Sequence, residues 1–193
     1  MSNYYEMRQS YIDRNLNLYL FEISAPRGFG ELWAQSFLKQ IVPNLQRPGK
    51  NLHAEYQGGE YDFFLAPDIR IEVKASRAVD AKSNLPLYQK ALASTSDKPF
   101  VMNFQQVKPK YCDVFVWIAV WRDTMKIWVI PSAEVENSKF YSKGQHRGNV
   151  GEGQLHIKHT NIAAFDKYLT EPSKIEEKLR EAYKLEKNLR NIA

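Results

Sequence analysis

The chain has 193 residues, 44% apolar and 13% aromatic, which suits one globular domain with a substantial core and excludes a disordered chain. No apolar run reaches the length of a membrane span, and "MSNYYEMRQSYIDRN" lacks the basic and apolar regions of a signal peptide. A single cysteine, Cys112, allows no intrachain disulfide, so a cytoplasmic protein with no membrane attachment is expected, and its net charge of +5 favours an acidic partner.

Taken in chain order, residues 4–22 read as a helix, with Tyr4, Met7, Tyr11, Leu18 and Phe21 loosely at helical spacing. "SAPRGFG" interrupts it. A second helix begins near Gly30 in "ELWAQSFLKQIV", with Trp33, Phe37 and Ile41 on one stripe and Glu31 in the first turn, where the helix dipole alone favours an acid. After the proline-marked loop "PNLQRPGK", "LHAEY" reads as a strand, punctuated by Gly58-Gly59. A hairpin follows in "EYDFFLAPDIRIEVKAS". Residues 82–98 carry a weak helical pattern, and "FVMNFQQV", "CDVFVWIAVW" and "MKIWVIP" have strand composition, with a tight turn at residues 122–124. Residues 137–154 read as a long exposed loop. The tail, residues 173–192, is a helix with Ser173 as its N-cap and Ala182, Leu185, Leu189 and Ile192 as its apolar seam. This order predicts a single α/β or α+β domain, a mixed β-sheet core flanked by helices.

The hairpin holds Asp62, Asp68, Glu72 and Lys74. In an antiparallel pair, residues whose numbers share a sum face each other, and successive side chains alternate between faces. A turn centred on Pro67 sets Phe63 against Ile71, Leu65 against Ile69 and Tyr61 against Val73, an apolar face. The other face then carries Asp62 opposite Glu72, with Lys74 two positions on. A slip of one residue mixes the two faces, so the apolar pattern selects the register that juxtaposes two carboxylates. Like charges in that position repel, and a divalent cation is the compensator that suits an all-oxygen set. A salt-bridged edge hairpin, with Lys74 neutralising Glu72, is the competing structural reading.

A helix with an acid, a strand, an Asp on the next strand and then "IEVKAS" resembles the PD-(D/E)XK nucleases, most like the type II restriction endonucleases. The resemblance spans roughly residues 30–131, and Glu72-Val73-Lys74 is its one crisp match. Asp62 departs from the pattern in following Tyr61 rather than a proline, whereas Pro67-Asp68 spells the family's letters inside the turn. The resemblance implies a restriction-endonuclease-like fold. It also implies a catalytic set of Asp62, Glu72, Lys74 and Glu31, in which Asp62, Glu72 and Glu31 hold Mg²⁺ or its water shell. Lys74 would position or deprotonate the attacking water. Serving as the base requires a depressed pKa, which a neighbouring carboxylate opposes. The implied activity is sequence-specific hydrolysis of double-stranded DNA to 5′-phosphate and 3′-hydroxyl ends. A homodimer would act on both strands of a palindrome, and a cognate DNA methyltransferase would be encoded nearby.

Two basic stretches fit walls for a polyanion: residues 82–110 carry five Lys against one Asp, and residues 139–160 carry three Lys and one Arg against one Glu. In the second stretch Lys143, Gln145, His146, Arg147 and Asn149 are candidate DNA contacts, since Arg reads guanine and Asn or Gln reads adenine in the major groove. Gln105 and Gln106, on or beside a strand leading from the same sheet, either contact DNA or cap a sheet edge. "GNVGEG" is no dinucleotide or phosphate loop, and His156-x-x-His159 lacks further ligands at zinc spacing. A structure-selective repair or junction-resolving nuclease, and a DNA-binding module with a vestigial site, are the alternative readings.

Overall fold

The central hairpin forms in the register that its apolar pattern selects. The structure, a computed structural model, describes residues 2–25, 28–51, 54–56, 58–144 and 152–192. Strand β1 (Phe63–Leu65) pairs antiparallel with β2 (Ile69–Arg77), Phe63 against Ile71 and Leu65 against Ile69, across a turn that contains Pro67 and Asp68. The regular ladder stops at Phe63 and Ile71, two residues short of the expected pair of Tyr61 with Val73. Asp62 N donates to Ile71 O, and the Asp62 side chain, rather than a backbone carbonyl, takes the Val73 N–H. Tyr61 accordingly leaves the face of Phe63 and Leu65 and packs into the core on the other side of the sheet.

The remaining strands are β3 (Val79–Asp80), β4 (Phe100–Val107), β5 (Val114–Val120), β6 (Met125–Pro131), β7 (Tyr141–Lys143), β8 (Gly153–Lys158) and β9 (Leu169–Thr170). They make a mixed five-stranded sheet, β1-β2-β5-β6-β9, and a four-stranded antiparallel sheet, β3-β4-β8-β7. In the first sheet only β2 and β5 run parallel. The chain between them departs into the second sheet through β3 and β4 and then returns. Covered on both faces, β5 is apolar and buried along its whole length, as a central strand must be.

The helices are α1 (Ser2–Asp13), α2 (Gln35–Ile41), α3 (Ser132–Glu136) and α4 (Ile175–Ile192); a π-helical turn, Gly28–Ala34, leads into α2. One core lies between the five-stranded sheet and the helices, where Ile71, Val73, Val116 and Ile118 meet Leu38 of α2 and Leu179 of α4. The second core lies between the two sheets. There Trp117 of β5 stacks on Phe104 of β4 at 4.8 Å between ring centroids. This is the expected class: a mixed α+β fold with sheets flanked by helices.

Several local expectations are corrected. The first helix stops at Asp13, and Leu18–Phe21 form a separate 3-10 turn. Residues 54–56 are turn rather than strand, and residues 82–98 form turns rather than a helix. The expected loop at 137–154 contains β7 and the first residues of β8. Ser173 lies inside a 3-10 turn, Pro172–Lys174, that runs into α4. Of the expected α4 seam, Ala182 is buried, Leu189 half-buried and Leu185 exposed, the Ile192 side chain lies outside the described residues, and Ile175 and Leu179 extend the seam toward the helix start. The seam continues to Glu186, which is buried because its Oε2 accepts the Ala133 N–H at 2.7 Å in the first turn of α3 and its Oε1 accepts from Arg190 Nε. The tight turn at 122–124 does form, closed by Trp121 N to Thr124 O. Among the described residues, no helix is long and apolar enough to cross a membrane.

Candidate active site

Alternation along β2 puts Ile71 and Val73 into the helix-side core and turns Glu72, Lys74 and Ser76 to the other face. These three are register-mates of Phe115, Trp117 and Ala119 on β5, all of which belong to the core between the sheets. The second sheet covers Trp117 but leaves the β1–β2 side open. The result is a cleft of about 1020 Å³ whose lining includes Asp62, Glu72, Lys74, Glu31, Gln35, Arg47, Gln105, Gln106 and Lys108.

On the floor of this cleft, Lys74 Nζ stands 2.6 Å from Glu72 Oε1, with side-chain exposures of only 17% and 14%. The Asp62 carboxyl is near enough to Glu72 for its charge to act on it. Burial pushes the Glu72 pKa up to about 7, with Asp62 adding to the rise and Lys74 opposing it. Burial also raises the Asp62 pKa, against the Val73 N–H bond and the Lys74 charge. For Lys74, burial works downward, but the Glu72 and Asp62 carboxylates outweigh it and the net shift is upward. Lys74 is therefore an ammonium at neutral pH. It is held as a donor and a charge, which disfavours a free-amine base.

Asp62 is fixed by a residue that the sequence reading did not single out. Gln35 Nε2 donates to Asp62 Oδ1 at 2.6 Å, and Gln35 Oε1 accepts from Arg47 Nη1 at 2.5 Å. Arg47 in turn lies 4.5 Å above the Phe63 ring. Both Asp62 oxygens are thus engaged, one by Gln35 and one by the Val73 N–H at 2.8 Å. Gln35 is a buried polar residue at the start of α2, four positions after Glu31, and that spacing was the available signal. Glu31 itself is exposed on the cleft wall. Its turn is tied to β2 by Arg77, whose guanidinium bonds Leu20 O and Ile23 O and lies 4.2 Å over the Phe29 ring.

Among the described residues, no three of His, Cys, Asp and Glu gather at metal-binding distance, so Glu31 does not join Asp62 and Glu72 in a cluster. The pair still fits a hard cation of the magnesium type, which takes one or two protein carboxylates and draws its other ligands from water and phosphate. Two neighbouring carboxyls with raised pKa values, against one ammonium, are what a cation would relieve.

Asp68 is elsewhere. It is exposed in the hairpin turn and accepts a hydrogen bond from Tyr183 Oη of α4, beside the Arg180 bond to Ala66 O at 2.8 Å. Gln105 and Gln106 sit at an irregularity in the β4–β8 pairing between Phe104 and Val107, both exposed, with Gln106 at φ +53°. Lys143 is exposed on β7. The expected contacts Gln145, His146, Arg147 and Asn149 lie outside the described residues. Compared with protein-family models and with curated proteins, the chain matches none.

Proposed function

We propose that this protein is a Mg²⁺-dependent endonuclease that hydrolyses double-stranded DNA to 5′-phosphate and 3′-hydroxyl ends, working in the cytoplasm as a homodimeric restriction enzyme beside a cognate methyltransferase. The observation that carries the reading is the buried Asp62–Glu72–Lys74 group on the floor of an open cleft with Arg47 and Lys108 on its walls. Asp62 and Glu72 are the residues that would hold Mg²⁺. Held there, the ion would supply positive charge for the departing 3′-oxygen and acidity for the attacking water. Gln35 and the Val73 N–H orient the Asp62 carboxylate, so its direction is set before substrate arrives. Lys74, kept protonated by Glu72, orients the water and offsets charge on the phosphate. Gln105, Gln106 and Lys143, with the 145–149 segment, are the DNA-contacting set of this reading.

The test is digestion of a plasmid of known sequence with Mg²⁺, with end mapping, beside an EDTA control and the Lys74→Ala variant. Discrete fragments with shared end sequences are expected, together with loss of cleavage on chelation. Lys74→Ala should keep DNA affinity within about tenfold while cleavage falls by on the order of 10². Undiminished cleavage in EDTA removes the metal reading, and cleavage confined to branched or damaged DNA selects the structure-selective nuclease. DNA binding with no metal-dependent cleavage selects the vestigial binding module.

A further inference from the structure

Helix α1 stands apart from both cores. Every described side chain from Tyr4 to Asp13 is exposed, and none belongs to a buried cluster. A helix of 12 residues is marginal in water without tertiary packing, because so short a segment scarcely recovers the cost of nucleation. This one is also poor in helix formers and rich in tyrosine. Tyr4, Tyr5, Met7, Tyr11 and Ile12 are between 41% and 68% exposed, and Leu16 and Tyr19 directly after the helix are 60% and 54% exposed.

The helical period gathers these side chains. With 3.6 residues per turn, Tyr4, Met7, Arg8 and Tyr11 fall on one stripe flanked by Tyr5 and Ile12, while Glu6, Gln9, Ser10 and Asp13 fall opposite. The polar side is self-contained, since Gln9 Nε2 bonds Asp13 Oδ1 at 2.8 Å. We infer that the occupant of the apolar stripe is a second copy of this chain, with α1 packing against its two-fold mate. This rests on the surface itself and gives a location to the homodimer of the functional reading.

Three features favour a second copy over another partner. First, area: seven such side chains together expose on the order of 700 Å², close to the ~800 Å² per partner of a stable interface. Second, self-complementarity: each stripe carries both tyrosine rings and one guanidinium, Arg8, the group that stacks on such rings. A two-fold contact therefore offers every element its counterpart. Third, charge: Glu6, Arg8 and Asp13 leave the helix slightly acidic, which turns away the polyanion that the basic stretches attract.

The experiment is the mass of the full-length protein by sedimentation velocity and light scattering, without DNA and in a chelator. Cleavage plays no part in the readout, so the result stands whether or not the nuclease reading does. Wild type is expected at twice the mass of one chain. Tyr4→Glu with Tyr11→Glu, and separately Met7→Arg, should run at the mass of a single chain with unchanged near-ultraviolet tryptophan signals, because none of these side chains supports a core. Tyr88→Glu, on an exposed aromatic outside α1, should remain dimeric. Wild type that is monomeric up to about 100 µM overturns the inference. So does a dimer that survives both α1 variants, which would place the contact elsewhere.

Discussion

Glu72 is buried beside Asp62, and burial outweighs the Lys74 ammonium to lift its pKa from 4.5 to about 7. The folded protein therefore holds this proton more tightly than the unfolded chain does between about pH 4.5 and 7. Stability from this group is greatest below that window, falls as pH rises through it and is level above it. In chelator, the melting temperature of wild type should drop across the window relative to Glu72→Gln, which has no proton to lose there. Parallel curves would mean that Glu72 is already ionised and fully compensated by Lys74. The two aspartates make a second pair to compare. Asp62→Asn removes a charge from the cleft floor and one acceptor from the Gln35 and Val73 pair, so cleavage should be abolished with the fold retained. Asp68→Asn keeps an acceptor for Tyr183 on the outer surface and should cleave at near wild-type rate. An active Asp62→Asn beside a dead Asp68→Asn would reverse the assignment. Asp68 carries the familiar dipeptide, yet Asp62 sits beside Glu72 because the cross-strand register, not the spelling, decides which carboxyl reaches it.

At the level of elements, the cleft depends on strands that stop pairing regularly in the right places. The β1 ladder yields at Asp62, where a carboxylate substitutes for a backbone carbonyl and so faces the site. Pairing of β4 with β8 breaks between Phe104 and Val107, where Gln106 adopts a left-handed backbone on the cleft wall. A side chain in that region costs on the order of 1–2 kcal/mol, so Gln106 is held there against its preference. Gln106→Gly relieves that strain, less the extra entropy glycine loses on folding, and should leave stability equal or up to about 1 kcal/mol higher. Measured in a Lys74→Ala background, the same change should weaken DNA binding if the amide faces the duplex. A clear loss of stability would show that Gln106 supports the bulge, and unchanged DNA affinity would leave it a sheet-edge residue. The hairpin and the strands β4, β5 and β6 were legible because their period and composition are local signals. The α4 seam holds at Ala182 but not at Leu185, whose place is taken by Glu186, a charged residue buried by a partner more than fifty positions away in the chain. Of the strand expected at 52–56, residues 54–56 take part in no ladder, and residues 52 and 53 lie outside the described residues.

For the whole molecule, two sheets share Trp117 and Phe104 as their contact, and the cleft is the portion of the first sheet that the second leaves uncovered. Charge follows that plan in part. Lys108 lies on the cleft wall in an ion pair with Glu152 at 3.1 Å, Lys143 lies on an edge strand, and the acidic side of α1 belongs to a different surface. From the sequence alone came the α+β class, the hairpin register and the pairing of Asp62 with Glu72 and Lys74 on one face. Each of these follows from side-chain period, which acts over a few residues and needs no knowledge of what packs above. Only the tertiary structure decided that Gln35 of α2 is hydrogen-bonded to Asp62, that β5 lies parallel beside β2, and that α1 is left without a core to join. Those outcomes depend on how distant segments close over a shared core, and a periodic pattern carries no information about which segment arrives there.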